Sequence, residues 1–207
     1  MQDLNFKEIA LDGSARAAEF TVNNKIVKTP TFMPVATRGA IKGMTMDALS
    51  EIDPDVILCN TYHLLIRPGS KNIKDSGGIH KYINWDKVIL TDSGGFQGWS
   101  LNSKRQSDGL LIKSLYDGSN LLLTPEISTK TQIEIGSDIA MVLDDLVSTD
   151  SSRDIINESI ERTLRWSELC LNNHNTNKQS LFGIIQGGIS EKYREYSLLK
   201  TIELDFD

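Results

Sequence analysis

Four short apolar runs in this chain each end in polar groups of a kind that can grip a flat heterocycle. Lys87 to Leu90 leads into Thr91-Asp92-Ser93-Gly94-Gly95-Phe96-Gln97. Val56 to Cys59 leads into Asn60-Thr61, Ile139 to Leu143 into Asp144-Asp145, and Leu181 to Ile185 into Gln186-Gly187-Gly188. In the first of these the strand delivers Asp92, and the Ser-Gly-Gly turn behind it frees backbone N–H groups for a ligand. Polar groups converging at the carboxyl ends of parallel strands are how α/β-barrel active sites are built. The repetition of the pattern carries more weight than any single residue.

Those groups meet only if their strands lie parallel and side by side, and the intervening segments support that. Residues 4–35 alternate apolar and polar without a helical period, and Asn23-Asn24 separates two such runs. Residues 1–34 are therefore expected to form an antiparallel cap built on a hairpin. Pro30 and Pro34 flank the entry into a first core strand near Val35. A short helix is expected over about residues 45–52, and a helical stretch between Pro68-Gly69 and Gly77-Gly78. Asp117-Gly118, between Gly109–Lys113 and Asn120–Leu123, predicts a β-hairpin insertion on the active-site side. Thr124-Pro125-Glu126 opens a helix that Gly136 closes. Ser151-Ser152 caps a long helix whose inner stripe reads Ile155, Ile156, Ser159, Ile160, Thr163, Leu164 and Ser167. A last helix is expected over about residues 190–204. Residues 35–207 thus read as an α/β unit with a mainly parallel sheet, and residues 1–207 as a single domain. About five core strands are legible, against eight in a closed barrel of about 250 residues, so the sheet is either open or part of a barrel.

Composition narrows the classes. With 39 % hydrophobic and 24 % charged residues the chain is an ordinary globular protein, and no run approaches the roughly 20 apolar residues that cross a bilayer. Met1 to Glu8 carries no apolar signal core, so a cytoplasmic location is expected. A net charge of −6 argues against a dedicated nucleic-acid scaffold while permitting an enzyme with a local basic patch. Cys59 and Cys170 read as buried thiols, and His63, His80 and His174 stand far from them in sequence. Neither a disulfide framework nor a metal cluster is expected within residues 1–207.

The blocks Leu58 to Gly69 and Leu90 to Gln97 resemble those of the bacterial tRNA-guanine transglycosylases, also called queuine tRNA-ribosyltransferases. The resemblance continues through Tyr116 to Ser119, Leu123 to Glu126, Gly136 to Ile139 and Phe182 to Gly188, and so covers nearly the whole chain in order. It implies a (β/α)8 TIM-barrel fold, here incomplete, and a family zinc site whose ligands lie beyond residue 207. It also implies exchange of guanine at the tRNA wobble position for a 7-deazaguanine precursor of queuosine, by enzymes that commonly act as homodimers.

The resemblance assigns roles that chemistry can check. Asp92 matches the general acid/base aspartate, since exchanging purines requires a proton lent to one base and recovered from the next. Asp144 matches a substrate-binding aspartate, whose two oxygens suit the adjacent N–H donors of guanine. Gln186 matches the amide that holds the purine carbonyl side, and Gly187-Gly188 brings backbone close to the base. Ser93, Gly94 and Gly95 belong to the same turn, and Phe96 would stack on the purine face, an interaction of ~1–3 kcal/mol. Asn60 and Thr61 are expected to orient the carboxylates from behind.

Departures are also visible. The chain reads Asp144-Asp145-Leu146 where the family usually has an acid followed by cysteine, Leu115-Tyr116 where histidine-leucine is common, and Gly98-Trp99 where a smaller apolar pair is usual. The family's nucleophilic aspartate, its basic anticodon-binding run and its zinc ligands find no match in residues 1–207. One carboxylate cannot serve as both nucleophile and acid/base, so the chain by itself is expected not to catalyse exchange. The competing reading is a non-catalytic half-barrel that docks on a complete transglycosylase. An unrelated metal-dependent barrel hydrolase is disfavoured because no histidine pair sits at the strand ends.

Overall fold

The computed structural model describes residues 4–207. The chain opens with three strands, β1 (Lys7–Asp12), β2 (Ala15–Val22) and β3 (Lys25–Thr29), antiparallel in that order. Asn23 and Asn24 both take positive φ (49° and 64°), the left-handed pair that a two-residue hairpin turn requires. The expected antiparallel cap is present and has one strand more than the hairpin that the Asn-Asn signal indicated.

From there strands and helices alternate. α1 (Met46–Ile52) precedes β4 (Val56–Cys59), and α2 (Thr61–Ile66), α3 (Ser70–Asp75) and α4 (Ile79–Ile83) lead to β5 (Val88–Thr91). α5 (Gly95–Ser100) is followed by β6 (Lys104–Arg105), β7 (Leu110–Lys113) and β8 (Asn120–Leu123), then by α6 (Pro125–Ile135) and β9 (Ile139–Met141). α7 (Arg153–Asn173), β10 (Ser180–Phe182) and α8 (Glu191–Ile202) complete the order. Thr45, Thr124 and Ser152 cap α1, α6 and α7 through their side-chain oxygens, and Gly136 ends α6 in the left-handed conformation. These starts and stops fall where the sequence signals placed them.

β4, β5, β9 and β10 form one parallel sheet in the order β10–β9–β5–β4, and Val35 adds a single parallel bridge to Leu58 at its edge. Sequential strands are neighbours, as in a barrel, yet the described residues form an open α/β sheet and no closed barrel. Of the five core strands expected, four are strands and the first is reduced to that bridge. Every residue of β5 is buried, as a parallel strand covered on both faces must be. β9 is shorter than the run Ile139 to Leu143 because the Leu143 N–H leaves the ladder and bonds Cys170 Sγ at 3.3 Å. This bend swings Asp144 off the sheet.

Two local expectations need correction. Asp117-Gly118 does not make a two-residue turn. β7 and β8 are joined by the longer loop 114–119, closed by Ser114 N–H to Ser119 O (2.8 Å) and Gly118 N–H to Ser114 O (3.0 Å). On α7, Ile155 is exposed and Leu164 only partly covered, while Ile156, Ser159, Ile160, Thr163, Trp166, Ser167 and Cys170 are buried. Five of the seven expected stripe residues are thus buried, and the packing of Trp166 and Cys170 in the core with β9 extends the buried face beyond them.

The cap closes the amino ends of the parallel strands. Val22 and Val27 pack with Val56, Val88, Leu90 and Ile139. At the start of β9, buried Asp138 accepts from Asn23 Nδ2 (2.9 Å), Lys25 Nζ (3.1 Å), His80 Nε2 (3.0 Å) and the Ile89 N–H (2.9 Å). Burial alone would raise its pKa. The bonds from His80, Asn23 and Ile89 outweigh burial and hold the carboxyl at about 2, so it is a fixed anion. With the amino ends plugged, the carboxyl ends remain for chemistry.

Candidate active site at the carboxyl ends of the strands

Asp92 follows the last residue of β5 and is held from three directions. Oδ1 accepts the Thr61 N–H (3.0 Å) and the Gly94 N–H (3.2 Å), while Oδ2 accepts Asn60 Nδ2. Asn60 is itself fixed as the N-cap of α2, its Oδ1 accepting from the His63 N–H at 3.0 Å. The Thr61 hydroxyl donates to the Asp92 backbone carbonyl. Burial raises Asp92 to about 7 even against these bonds, and the neighbouring Asp144 charge adds to the rise. A carboxyl poised near neutrality can hold or release a proton at little cost.

Asp144 stands across the Ser93-Gly94-Gly95 turn. Its Oδ1 accepts Ser93 Oγ–H (3.0 Å) and its Oδ2 accepts Gln186 Nε2 (2.8 Å), and the same Ser93 oxygen accepts the Gly95 N–H (3.1 Å). Burial, and then the adjacent Asp145 charge, raise this carboxyl to about 6. Gly95 is required by space, because a Cβ there would lie 2.2 Å from Asp144 Oδ1 and 2.7 Å from its carbonyl oxygen. The predicted residues Asp92, Ser93, Gly94, Gly95, Asp144 and Gln186 are thus one connected cluster.

Asn60 and Thr61 support Asp92 only, and Asp144 draws its support from Ser93 and Gln186. Phe96 is 54 % exposed, which places it at the mouth and outside the core. Gly187 is tight for a different reason from the one expected. A Cβ on it would sit 2.6 Å from the Arg194 N of α8, so its close approach is to that helix, and Gly188 follows at φ 57°.

The sequence reading missed the frame beneath. Asp145 is fully buried between Arg105 Nε (2.6 Å) and Arg162 Nη1, with its backbone N–H on Thr163 Oγ1 (3.0 Å). Gln132 ties β5 to β9, accepting from Thr91 Oγ1 and the Met141 N–H, each at 2.9 Å, and donating to the Met141 carbonyl. Ser128 Oγ donates to the Ser93 carbonyl at 2.7 Å, pinning the turn from below. The doubled acid Asp144-Asp145 was the one available signal of an arginine-bound neighbour.

Among the described residues no group of three or more His, Cys, Asp or Glu side chains is gathered as a metal site. His63 faces Tyr116, His80 binds Asp138, and His174 meets Gln179, while both thiols are buried and pushed up in pKa by that burial. These residues do not fit a zinc centre. No helix among the described residues is long and apolar enough to cross a membrane.

Fold and geometry together define an α/β protein with a pair of carboxylates, Asp144 buried and Asp92 largely so, at the carboxyl ends of parallel strands. The profile of the queuine tRNA-ribosyltransferase family matches residues 12–207. The chain is 44 % identical over 203 residues to a queuine tRNA-ribosyltransferase of Natranaerobius thermophilus, covering 97 % of this chain and 55 % of that protein. It is 42 % identical over 209 residues to the enzyme of that name from Acinetobacter baylyi (99 % and 54 % covered). It is 45 % identical over 181 residues to that of Acetivibrio thermocellus (86 % and 48 %). The chain belongs to the queuine tRNA-ribosyltransferase family, and it spans about half the length of the curated relatives it matches.

Proposed function

We propose that residues 1–207 supply the acid/base and base-recognition part of a tRNA-guanine transglycosylase. The substrates are tRNA carrying guanine at the wobble position and a 7-deazaguanine that replaces it, a reaction set in the cytoplasm. The observation that carries this reading is the Asp92–Asp144 pair, two carboxyls raised toward neutrality but held by different partners. Asp144, with an oxygen on each side of the purine's N–H edge, accepts from the ring N–H and the exocyclic amine. Gln186 fixes that carboxylate and offers its amide to the carbonyl side of the base. On Asp92, the bonds from Thr61, Gly94 and Asn60 occupy three of roughly four lone-pair sites. The open site on Oδ2 is where a proton is held for the departing guanine and recovered from the incoming base. Phe96, exposed on α5, covers the face of the ring.

The nucleophile that would hold the ribose lies outside this set. Asp145, the next carboxylate along the chain, is committed to Arg105 and Arg162, so none of the three acids at this edge is spare. The 207-residue chain alone therefore binds guanine but does not exchange it. The family's zinc ligands are expected beyond residue 207, and a homodimer like the family's is part of this proposal. Calorimetry with guanine tests the binding half, with Asp144→Asn expected to abolish the heat. Incorporation of labelled guanine into tRNA by the purified chain would overturn the second half.

A second reading, a half-barrel partner of a complete transglycosylase, is favoured by the exposed apolar side chains on α8 and just before it. Ile189, Leu198, Leu199 and Ile202 are exposed there. A stable complex with a full-length relative in size-exclusion chromatography, together with no guanine binding by the isolated chain, would select it.

A further inference from the structure

The buried face of α7 carries small polar residues where a helix packed on a sheet would ordinarily present aliphatic ones. Ser159, Thr163 and Cys170 are each no more than 1 % exposed, and they share one side of the helix, spaced by one and then two turns. Buried polar side chains need partners, and all three find theirs in the same short stretch of backbone.

That stretch is 143–145. β9 ends at Met141, and the Val142 N–H still bonds the Phe182 carbonyl of β10 (3.1 Å). From Leu143 onward the segment belongs to no strand. The Leu143 N–H goes to Cys170 Sγ (3.3 Å) and the Asp145 N–H to Thr163 Oγ1 (3.0 Å), while the Asp145 carbonyl accepts from Ser159 Oγ (2.6 Å). Arg162, on the same helix, holds the Asp145 carboxylate, and Arg105 Nη2 holds the next carbonyl, that of Leu146 (2.8 Å). Helix α7 thus binds the backbone on both sides of Asp144 as a neighbouring strand would. The Asp144 carbonyl itself lies against Gly95, where a Cβ would come within 2.7 Å. With its neighbours tied to α7 and its own carbonyl packed on the turn, Asp144 has little freedom to leave Ser93 and Gln186.

We propose that Thr163, with Ser159 and Cys170, is a positioning residue of the base site: α7 replaces the β-ladder for residues 143–145 and so fixes where the Asp144 carboxylate stands. Each of the three acts through the backbone of the acid's neighbours, and none needs contact with the base. The inference rests on the reading of Asp144 as the carboxylate that accepts from the purine's N–H edge. It gives the polar stripe of α7 a task in recognition that core packing does not ask of it.

Two readouts test it, guanine affinity by calorimetry and the titration of the Asp144 carboxyl by NMR on carboxyl-labelled aspartate, with Asp144→Asn identifying the signal. Asp144 faces Asp92 and Ser93 from the β5 end, Gln186 from the β10 end, the Cys170 thiol from α7, and its own neighbour Asp145. Burial raises it to about 6 with help from the Asp145 charge, while the bonds from Ser93 and Gln186 pull it down, so a carboxyl that drifts from those two titrates higher. Thr163→Val keeps the shape of the side chain and leaves the Asp145 N–H unpaired. It is expected to weaken guanine binding on the order of tenfold and to move the Asp144 titration upward. Thr163→Ser, which restores the hydroxyl, should return both readouts toward the parent. Ser159→Ala carries the same test at the Asp145 carbonyl should the valine variant fail to fold. Ile160→Val trims a buried side chain of the same helix and should lower stability while moving neither readout. An Asp144 titration unchanged in both Thr163→Val and Ser159→Ala would overturn the positioning role and leave the guanine site standing. A parent that binds no guanine, with its Asp144 titration still shifted by Thr163→Val, would overturn the base-site reading alone.

Discussion

At the scale of single residues the site is governed by which oxygen has a lone pair left. Asp92 is raised to about 7, whereas an unfolded aspartate titrates near 3.9. Between those values the folded chain keeps a proton that the unfolded chain has released. Stability contributed by this group is therefore greatest below about pH 4, falls as pH rises, and levels off above about 7. Asp144, raised to about 6, adds a change of the same sign. The Asp92→Asn variant carries a constant penalty, because its amide faces the Asn60 amide. Its deficit in urea midpoint against the parent is expected to shrink between pH 5 and pH 8, and a deficit independent of pH would contradict the assignment. Gly95→Ala should cost about 1–3 kcal/mol and remove guanine binding, since the added methyl collides with the Asp144 carboxylate. Calorimetry and denaturant melts on the same preparation separate the two effects. The acids themselves were legible in the sequence because each ends an apolar run. Their partners were not, since Arg105 and Arg162 approach Asp145 from an edge strand and from α7, a meeting that no local spacing encodes.

At the scale of elements, several strands and helices are placed by one or two polar anchors beyond their apolar packing. The cap is the clearest case. Asp138 joins the β2–β3 turn to β5 and β9, and its pKa of about 2 lies below the unfolded value. Its contribution of about 2 kcal/mol is fully present above pH 4 and is lost as pH falls toward 2. Asp138→Ala should destabilise the chain by about 3–5 kcal/mol at neutral pH, because it leaves Lys25 and His80 without their anion. The gap between parent and variant should narrow by about 2 kcal/mol on acidification to about pH 2, which urea melts would follow. Helix starts such as Thr124-Pro125 and Ser152 were readable in the sequence because capping is local chemistry. The α7 stripe was legible at Ile156, Ser159, Ile160, Thr163 and Ser167, whereas the burial of Trp166 and Cys170 in place of Ile155 and Leu164 is a tertiary decision.

At the scale of the whole molecule, the parallel sheet has two unlike edges. One carries the Val35 bridge, and the other is β10, which leads into α8, where Leu198, Leu199 and Ile202 are exposed, as is Ile189 just before it. An apolar surface beside an open strand favours association with another chain. The 207-residue chain is expected to show concentration-dependent association in sedimentation velocity, reduced by the double variant Leu199→Lys, Ile202→Lys. A monomer at all concentrations would mean that this surface is innocuous in water. The alternation of strands and helices was plain in the sequence, whereas the missing closure followed only from counting strands, which is a weaker argument than any motif.

The Ser93-Gly94-Gly95 turn touches both carboxylates, through the Gly94 N–H on Asp92 and the Ser93 hydroxyl on Asp144. With the roles proposed for the two acids, proton transfer and base recognition would share one short stretch of backbone and fail together when it moves. Losses from substitutions in the turn and at either acid should overlap and fall short of adding, as they do for groups that act as a unit. In evolutionary terms the two proposed tasks would not be separable traits. A lineage altering this turn gives up both at once, and one that keeps it keeps the conditions for both.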